Sequence, residues 1–176
     1  MRRIAVLGAT GSIGRSTLDV IRRHSDRYQV TLLSAHRSVD DMEVLCRAHQ
    51  PTHAVMGDPD AAAALAERLT DLSAVTVESG AGVLDDLVAE PNVDSVVAGI
   101  VGFAGLRPTL RAARAGKTIL LANKEALVSA GGLFMETVRQ GGATLLPVDS
   151  EHNAMHQCLP VASDGRPDMA DVEKII

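Results

Sequence analysis

The chain has 176 residues, of which 46% are hydrophobic, and it carries a formal net charge of −5 at pH 7. This length and apolar content suit a globular domain with a sizeable core and exclude wholesale disorder. The negative charge disfavours a nucleic-acid partner, and no apolar run is long enough to indicate a membrane partner. The two cysteines, Cys46 and Cys158, form neither a CxxC motif nor a disulfide framework, which predicts a cytoplasmic protein.

The first predicted elements surround a glycine-rich turn at residues 8–14, with the spacing G-x-x-G-x-x-G. A short apolar strand over residues 4–7 precedes this turn, and an amphipathic helix follows it. Such a turn suits the pyrophosphate of a dinucleotide, because glycines let the backbone approach the phosphates and the first helical N–H groups point at them. The succession of strand, glycine turn and helix therefore favours nucleotide binding over a plain βα turn without a ligand.

A second strand, predicted over residues 29–35, ends in His36-Arg37-Ser38. A site for NAD usually places an acidic residue there to bind the ribose 2′-OH, whereas a basic residue suits a 2′-phosphate. The sequence thus favours NADP over NAD. The alternative is that these residues form an ordinary solvated turn.

The next part of the chain alternates between helical and strand patterns joined by short links. Helices are predicted over residues 39–49, from Pro59 (capped by Asp58) to about Thr70, and over 82–89, with strands over 53–56 and 75–77. This alternation predicts the α/β class, with a Rossmann-like, doubly wound and mostly parallel sheet.

A second glycine-rich loop, residues 99–105, follows a strand predicted over residues 93–98. Pro108 lies in the first turn of the next predicted helix, and Gly116 follows the end of that helix. The loop should lie beside the first glycine turn, at the edge of the sheet where ligands bind. Ligand binding and simple close packing of the loop are equally supported by this pattern.

The triplet Asn123-Lys124-Glu125 comes directly after an apolar strand beginning at Thr118. An amide, an ammonium and a carboxylate at the carboxyl end of a buried strand are either helix-start residues or active-site groups. We favour the active-site interpretation, because the lysine can meet a phosphate or a hydroxyl. A helix opened by Gly131-Gly132 is predicted next.

The last predicted strand, residues 143–148, leads into Asp149-Ser150-Glu151. Two carboxylates two residues apart in an extended segment can face the same way, and such hard oxygen ligands suit Mg²⁺ or Mn²⁺. Alternatively, Asp149 or Ser150 is only the N-cap of a helix that runs to Leu159. His152 and His156 stand four apart on that helix, but without a third ligand they give weak support for a transition-metal site.

Three segments, residues 8–20, 121–128 and 145–154, resemble the signatures of the 1-deoxy-D-xylulose 5-phosphate reductoisomerase family. The resemblance implies an NADPH-dependent bacterial enzyme of isoprenoid-precursor synthesis. Such an enzyme rearranges the sugar phosphate 1-deoxy-D-xylulose 5-phosphate and reduces the aldehyde intermediate to 2-C-methyl-D-erythritol 4-phosphate. It also requires Mg²⁺ or Mn²⁺, with Co²⁺ as a further candidate.

The resemblance also implies roles for individual residues. Residues 1–148 would form the NADPH-binding domain, and residues 149–176 the beginning of a second, catalytic domain. Lys124, Asp149 and Glu151 would be catalytic, with Asp149 and Glu151 as metal ligands. The substrate would contact Lys124, Ser150 and Glu151. The cofactor would contact Thr10, Gly11, Ser12, Ile13, His36, Arg37, Ser38, Asn123 and Glu125.

Two departures from the family pattern qualify these expectations. His36-Arg37-Ser38 replaces a Gly-Lys-Asn type of sequence, which keeps the positive charge but changes the backbone freedom at the first position. Family members are also far longer, and residues 174–176 read as the start of another strand. We therefore expect an N-terminal fragment, inactive alone, of an enzyme that is a homodimer at full length. The competing hypotheses are a standalone non-catalytic NADP-binding module and an unrelated Rossmann dehydrogenase.

Overall fold

The computed structural model describes residues 1–160, Asp168, Ala170 and 172–174. The strand start expected at 174–176 therefore lies outside the described residues, apart from Lys174. The strands are β1 (Arg2–Leu7), β2 (Tyr28–Ala35), β3 (His53–Met56), β4 (Thr76–Ser79), β5 (Ser95–Ala98), β6 (Thr118–Leu121) and β7 (Thr144–Pro147). The helices are α1 (Ser12–Arg23), α2 (Val39–His49), α3 (Pro59–Arg68), α4 (Ala81–Leu87), α5 (Leu106–Arg114), α6 (Glu125–Gly141) and α7 (Ser150–Cys158), with a 3-10 turn at Gly102–Gly105.

The strands form a single seven-stranded sheet in the order β4-β3-β2-β1-β5-β6-β7. Every pair of neighbouring strands is parallel. The chain runs outward from β1 to β4 and then crosses back to β5, so the strand order reverses between β1 and β5. This arrangement confirms the Rossmann-like, doubly wound α/β fold, and a reversal of this kind is where such sheets bind ligands.

The core has two layers, one on each face of the sheet. Alternate residues of β1 enter different layers: Ile4 and Val6 pack with α1, α2 and α3, whereas Ala5 and Leu7 pack with α4, α5 and α6. The period of two along the strand and the apolar faces of the helices explain this division. As predicted, the Asp58 side chain caps α3, accepting hydrogen bonds from the backbone of Asp60 and Ala61 at 3.1 Å each.

Three predicted element starts are wrong by two residues or more, and the first is that of β1, which begins at Arg2 rather than at residue 4. The helix after β6 begins at Glu125 rather than at Gly131-Gly132, because good helix formers follow the strand at once; the glycines come after a kink at Ala130 (φ −143°, ψ 27°). The strand β5 begins at Ser95 rather than at Val93. Asp94 instead accepts hydrogen bonds from the backbone and side chain of Arg3. Across the described part of the chain, every helix is too short or too polar to span a membrane.

Candidate functional site

The first glycine turn is shaped by backbone contacts that leave no room for side chains. Gly8 has a φ of +76°, and a Cβ there would lie 2.7 Å from the carbonyl oxygen of Gly99. A Cβ on Gly14 would lie 2.5 Å from the carbonyl oxygens of both Gly8 and Ala9. Such distances are far inside van der Waals contact, so glycine is required at both positions.

The helix that follows this turn has an open N-terminus. Among the described residues, no side chain caps α1, whose N-cap is Gly11, and its first turn carries no acidic residue. Thr10 and Ile13 are partly exposed, and Gly11 and Ser12 are exposed. The first N–H groups of a helix need partners and lie at the positive end of its dipole, so this end is suited to an anion such as a pyrophosphate.

The second glycine loop lies against the first, as the sequence predicts. The N–H of Gly99 donates to the carbonyl oxygen of Leu7 at 3.0 Å, and a Cβ on Gly99 would lie 2.8 Å from that same oxygen. Gly102 lies in the left-handed region at φ +68°, and Phe103 beside it is 70% exposed. The two loops therefore form a continuous rim where the strand order reverses.

Asn123 holds this second loop in place. Its side chain is buried, and its Nδ2 donates to the carbonyl oxygens of Ile100 at 2.6 Å and Gly102 at 2.7 Å. These bonds join the residues after β6 to the residues after β5, so sequence patterns do not predict them. Asn123 thus shapes the rim beside the expected cofactor, and its direct contact with the cofactor stays a prediction.

The residues after β2 lie beside the end of β3. Arg37, with a side chain 72% exposed, donates through Nε to Asp58 Oδ2 at 2.8 Å. The His36 imidazole lies over Gly57, where a Cβ would come within 2.5 Å of Nδ1. The N–H of Ala61, followed by the Arg37 guanidinium, lowers the pKa of Asp58 below its ordinary value. Ser38 is the exposed N-cap residue of α2.

A third group of predicted site residues follows β6 and β7. Lys124 and Asp149 line one cavity of about 230 Å³, whose wall also includes His152 and Met155. The N–H of Val148 donates to the carbonyl oxygen of Leu121 at 2.9 Å, which brings the two strand ends together. Glu125 is exposed in the first turn of α6, where an acidic side chain suits the helix dipole.

The extended arrangement expected for Asp149-Ser150-Glu151 is wrong. Asp149 is the N-cap of α7, and its Oδ1 accepts from the N–H of His152 at 3.0 Å, so the capping alternative is confirmed. Ser150 and Glu151 are exposed in the first helical turn. The short polar side chain of Asp149 satisfies a helix N–H group and thereby starts the helix directly after the strand.

Hydrogen bonding stabilises the ionised form of Asp149. The backbone N–H of His152, followed by the imidazole of the same residue 2.5 Å away, lowers the pKa of Asp149, and the charge of Lys124 acts in the same direction. The carboxylate is therefore ionised at neutral pH. Its Oδ1 is engaged in the cap, whereas Oδ2 enters none of the described hydrogen bonds.

The described residues hold no group of three or more His, Cys, Asp or Glu side chains arranged for a metal ion. Asp149 Oδ2 and the exposed Glu151 carboxylate still offer two hard oxygen donors. Mg²⁺ is commonly held by one or two carboxylates together with water and substrate oxygens, so these residues fit part of such a site. Among the described residues no third ligand joins His152 and His156, so the geometry adds no support to a transition-metal site on α7.

Two other site residues escaped sequence reasoning. Ser34, buried in β2, accepts from the N–H of Gly8 through its hydroxyl at 3.4 Å and from the N–H of Ala9 through its carbonyl at 2.8 Å. Arg15 donates from Nε to the carbonyl oxygen of Thr10 at 3.0 Å. Both stabilise the glycine turn. The Ser34 contacts depend on the pairing of β2 with β1, whereas Arg15 and Thr10 are five residues apart in the chain.

Comparisons with known proteins find relatives of one family. A family model described as 1-deoxy-D-xylulose 5-phosphate reductoisomerase matches residues 4–131. The enzyme of that name from Ralstonia nicotianae is 57% identical over 161 residues, which are 91% of this chain and 41% of that protein. The chain thus spans less than half the length of this curated relative.

Solved structures give the same result for the fold. The reductoisomerase from Zymomonas mobilis in complex with NADPH has a TM-score of 0.86 at 51% identity, covering 90% of this chain and 42% of that one. A crystal structure of the reductoisomerase in complex with NADPH, fosmidomycin and magnesium has a TM-score of 0.89 at 47% identity. That match covers 94% of this chain and 40% of the solved one.

Proposed function

This chain belongs to the 1-deoxy-D-xylulose 5-phosphate reductoisomerase family, and from that premise we propose that it supplies the NADPH-binding part and the beginning of the metal and substrate site of such an enzyme. Residues 1–148 would form the cofactor domain, and residues 149–176 would begin the catalytic domain. The proposed reaction converts 1-deoxy-D-xylulose 5-phosphate to 2-C-methyl-D-erythritol 4-phosphate.

The observation that carries the proposal is the open N-terminus of α1 between two glycine loops. The first turn of α1 lacks an acidic residue, and Gly8 and Gly14 are sterically required to be glycine. An unfilled helix end at the reversal of strand order is a site for an anion. In this role Thr10, Gly11, Ser12 and Ile13 would hold the pyrophosphate.

The adenosine half of the cofactor would extend from this turn toward the end of β2. Arg37 uses its Nε to bind Asp58, which leaves the end of its guanidinium exposed for a 2′-phosphate. His36 and Ser38 flank it. In the opposite direction, Asn123 and Glu125 would line the cofactor beyond the second glycine loop.

The residues after β6 and β7 would handle the substrate. When bound, NADPH supplies hydride and Mg²⁺ supplies Lewis-acid polarisation of the ketone and its neighbouring hydroxyl. Lys124 would meet an anionic or hydroxyl group of the substrate from the cavity that it shares with Asp149. Asp149 and Glu151 would hold the metal, while Ser150 and Glu151 would bind the substrate.

Finer points of the proposal rest on general chemistry and on the family. Mn²⁺ or Co²⁺ would also serve at this site in place of Mg²⁺, since all three accept oxygen ligands. The full-length enzyme would be a homodimer in the cytoplasm.

The 176-residue chain alone would bind NADPH without measurable turnover, because its described residues supply only two carboxylates for the metal. The cavity shared by Lys124 and Asp149 disfavours the alternative of a standalone NADP-binding module, which has no use for it.

Titration of the 176-residue chain with NADPH and with NADH tests this function. NADPH should bind more tightly, and R37A should weaken NADPH alone by about 1–3 kcal/mol, the size of a lost charge-assisted contact. R22A is the matched control, because Arg22 is an equally exposed arginine that pairs with Asp19 at the far end of α1. Equal losses for both cofactors would remove Arg37 from the 2′-phosphate site, and absence of binding would refute the function.

A further inference from the structure

Arg15 connects the first glycine turn to a neighbouring helix. Its Nε donates to the carbonyl oxygen of Thr10 at 3.0 Å, and its Nη2 lies 2.8 Å from Asp41 Oδ2. Asp41 belongs to the first turn of α2. The side chain of Arg15 is 57% exposed, so burial does not force it into this position.

The positive charge of Arg15 lies near the N-terminus of α1, where the helix dipole makes a cation unfavourable. The guanidinium folds back past the N-terminus of α1, which carries the positive end of the helix dipole and has no acidic residue in its first turn. Holding a long exposed side chain in one conformation also costs entropy. An anion bound at the same helix end makes the position of Arg15 favourable, because the anion attracts both the positive end of the helix dipole and the guanidinium.

The contact with Thr10 has a second consequence. A backbone carbonyl oxygen that faced a pyrophosphate would repel it. The Nε of Arg15 engages the Thr10 oxygen, and Asp41 fixes the other end of the guanidinium. The loop is thereby held with this oxygen bound to a donor, whereas no described side chain caps the first N–H groups of α1.

We propose that Arg15 is a cofactor-positioning residue for the pyrophosphate, acting through the Thr10 carbonyl and through its own charge. This inference rests on the proposed binding of a nicotinamide dinucleotide. Because NADPH and NADH share the pyrophosphate, Arg15 contributes equally to the binding of both. Its effect thus differs from that of Arg37, which concerns the 2′-phosphate alone.

The test compares R15Q, R15K and D41N with the wild-type chain by fluorescence titration with NADPH and NADH. R15Q should weaken both cofactors by the same factor, roughly 3- to 10-fold for a partly exposed charge-assisted contact. R15K should recover part of the loss, and D41N should give a smaller loss than R15Q. The R15Q defect should shrink at high salt, since screening weakens an interaction between exposed charges.

Thermal unfolding of each variant separates positioning from stability. A purely structural role would lower the Tm of R15Q and D41N and leave both affinities and their salt dependence unchanged, which would overturn the inference. A loss confined to NADPH would also overturn it and assign Arg15 to the 2′-phosphate. If the wild-type chain bound neither cofactor, the proposed function itself would fall, whereas normal wild-type binding with an unaffected R15Q would refute only the role of Arg15.

Discussion

The glycine rim, made of residues 8–14 and 99–105, and the cap region, made of Lys124 and residues 149–152, lie on the same edge of the sheet but are built differently. In the rim, backbone packs on backbone so closely that a methyl group on Gly14 would lie 2.5 Å from two carbonyl oxygens. In the cap region, the half-buried Asp149 side chain binds the start of its own helix, and α7 buries none of its residues. The rim is therefore preformed, whereas the cap region is held by local hydrogen bonds.

The two regions suit the two parts of the proposed chemistry, cofactor binding in the rim and metal binding in the cap region. A dinucleotide site needs a fixed backbone at an uncapped helix N-terminus, and close packing fixes that backbone before any ligand arrives. A hard-metal site needs carboxylates that can move onto an ion together with waters and substrate oxygens. Asp149 and Glu151 meet that need only partly, since one oxygen of Asp149 is already used to cap α7.

The largest expected effect is that of G14A, which tests whether the rim is preformed by close packing. The added Cβ would clash with two backbone carbonyls, so we expect a loss of about 2–4 kcal/mol in the free energy of unfolding and a loss of NADPH binding. Denaturation in urea and a cofactor titration measure the two effects.

G132A is the matched control for this substitution. Among the described atoms, none lies within 4 Å of a Cβ at Gly132, which is within α6. Alanine there should stabilise the chain by about 0.5–1 kcal/mol, as is usual inside a helix. Equal stability of G14A and G132A would show that the turn can relax and that the rim is not preformed.

A smaller effect is expected at the opposite end of the same strands, where Arg3 pairs with Asp94. The guanidinium of Arg3, followed by its backbone N–H, lowers the pKa of Asp94 from 3.8 to about 2. The resulting stabilisation is fully present above pH 3.8 and is lost as the pH falls toward 2. D94N should therefore lower the free energy of unfolding by about 1 kcal/mol at pH 7, a value reduced by solvent screening, and by much less near pH 2.

NADPH affinity should be unchanged in D94N, because this pair lies at the edge of the sheet remote from the glycine rim. D86N is the control, since Asp86 is 80% exposed and pairs with Arg111 at 3.3 Å. A difference between D94N and the wild type that persisted at pH 2 would contradict the assigned pKa shift.

The smallest effects on stability are expected in the cap region. The chain should bind Mn²⁺ weakly, because two carboxylates leave most of the coordination sphere to water. D149N should weaken that binding further and keep the cap, since asparagine is also a good N-cap residue. It should leave NADPH affinity within about 2-fold, as distant sites usually act independently.

Measurement of Mn²⁺ relaxation enhancement checks this prediction, and the double variant H152A/H156A provides its control. We expect the double variant to bind Mn²⁺ like the wild type. Tight, stoichiometric binding that the double variant abolished would instead place a transition-metal site on α7 and would contradict the assignment of Asp149 and Glu151.

Sequence patterns predicted the layered fold well because they depend on local chemistry. The bounds of α2 and β3 agree with the prediction, since apolar spacing and Pro51 determine them. The extended form of Asp149-Ser150-Glu151 was wrong because a side chain that can chelate a metal can also cap a helix. The pairs Arg37–Asp58 and Arg15–Asp41 could not be predicted, because each joins the ends of elements that only the folded sheet brings together.

The contrast between the two regions is tested most directly by amide hydrogen exchange of the chain with and without NADPH. We predict that NADPH slows exchange in residues 8–15 and 99–105 and leaves Ser150–Cys158 as fast as in the free chain. This result follows if the cofactor contacts the rim and leaves α7 free for metal and substrate. Protection of Ser150–Cys158 with no change in residues 8–15 would contradict the account.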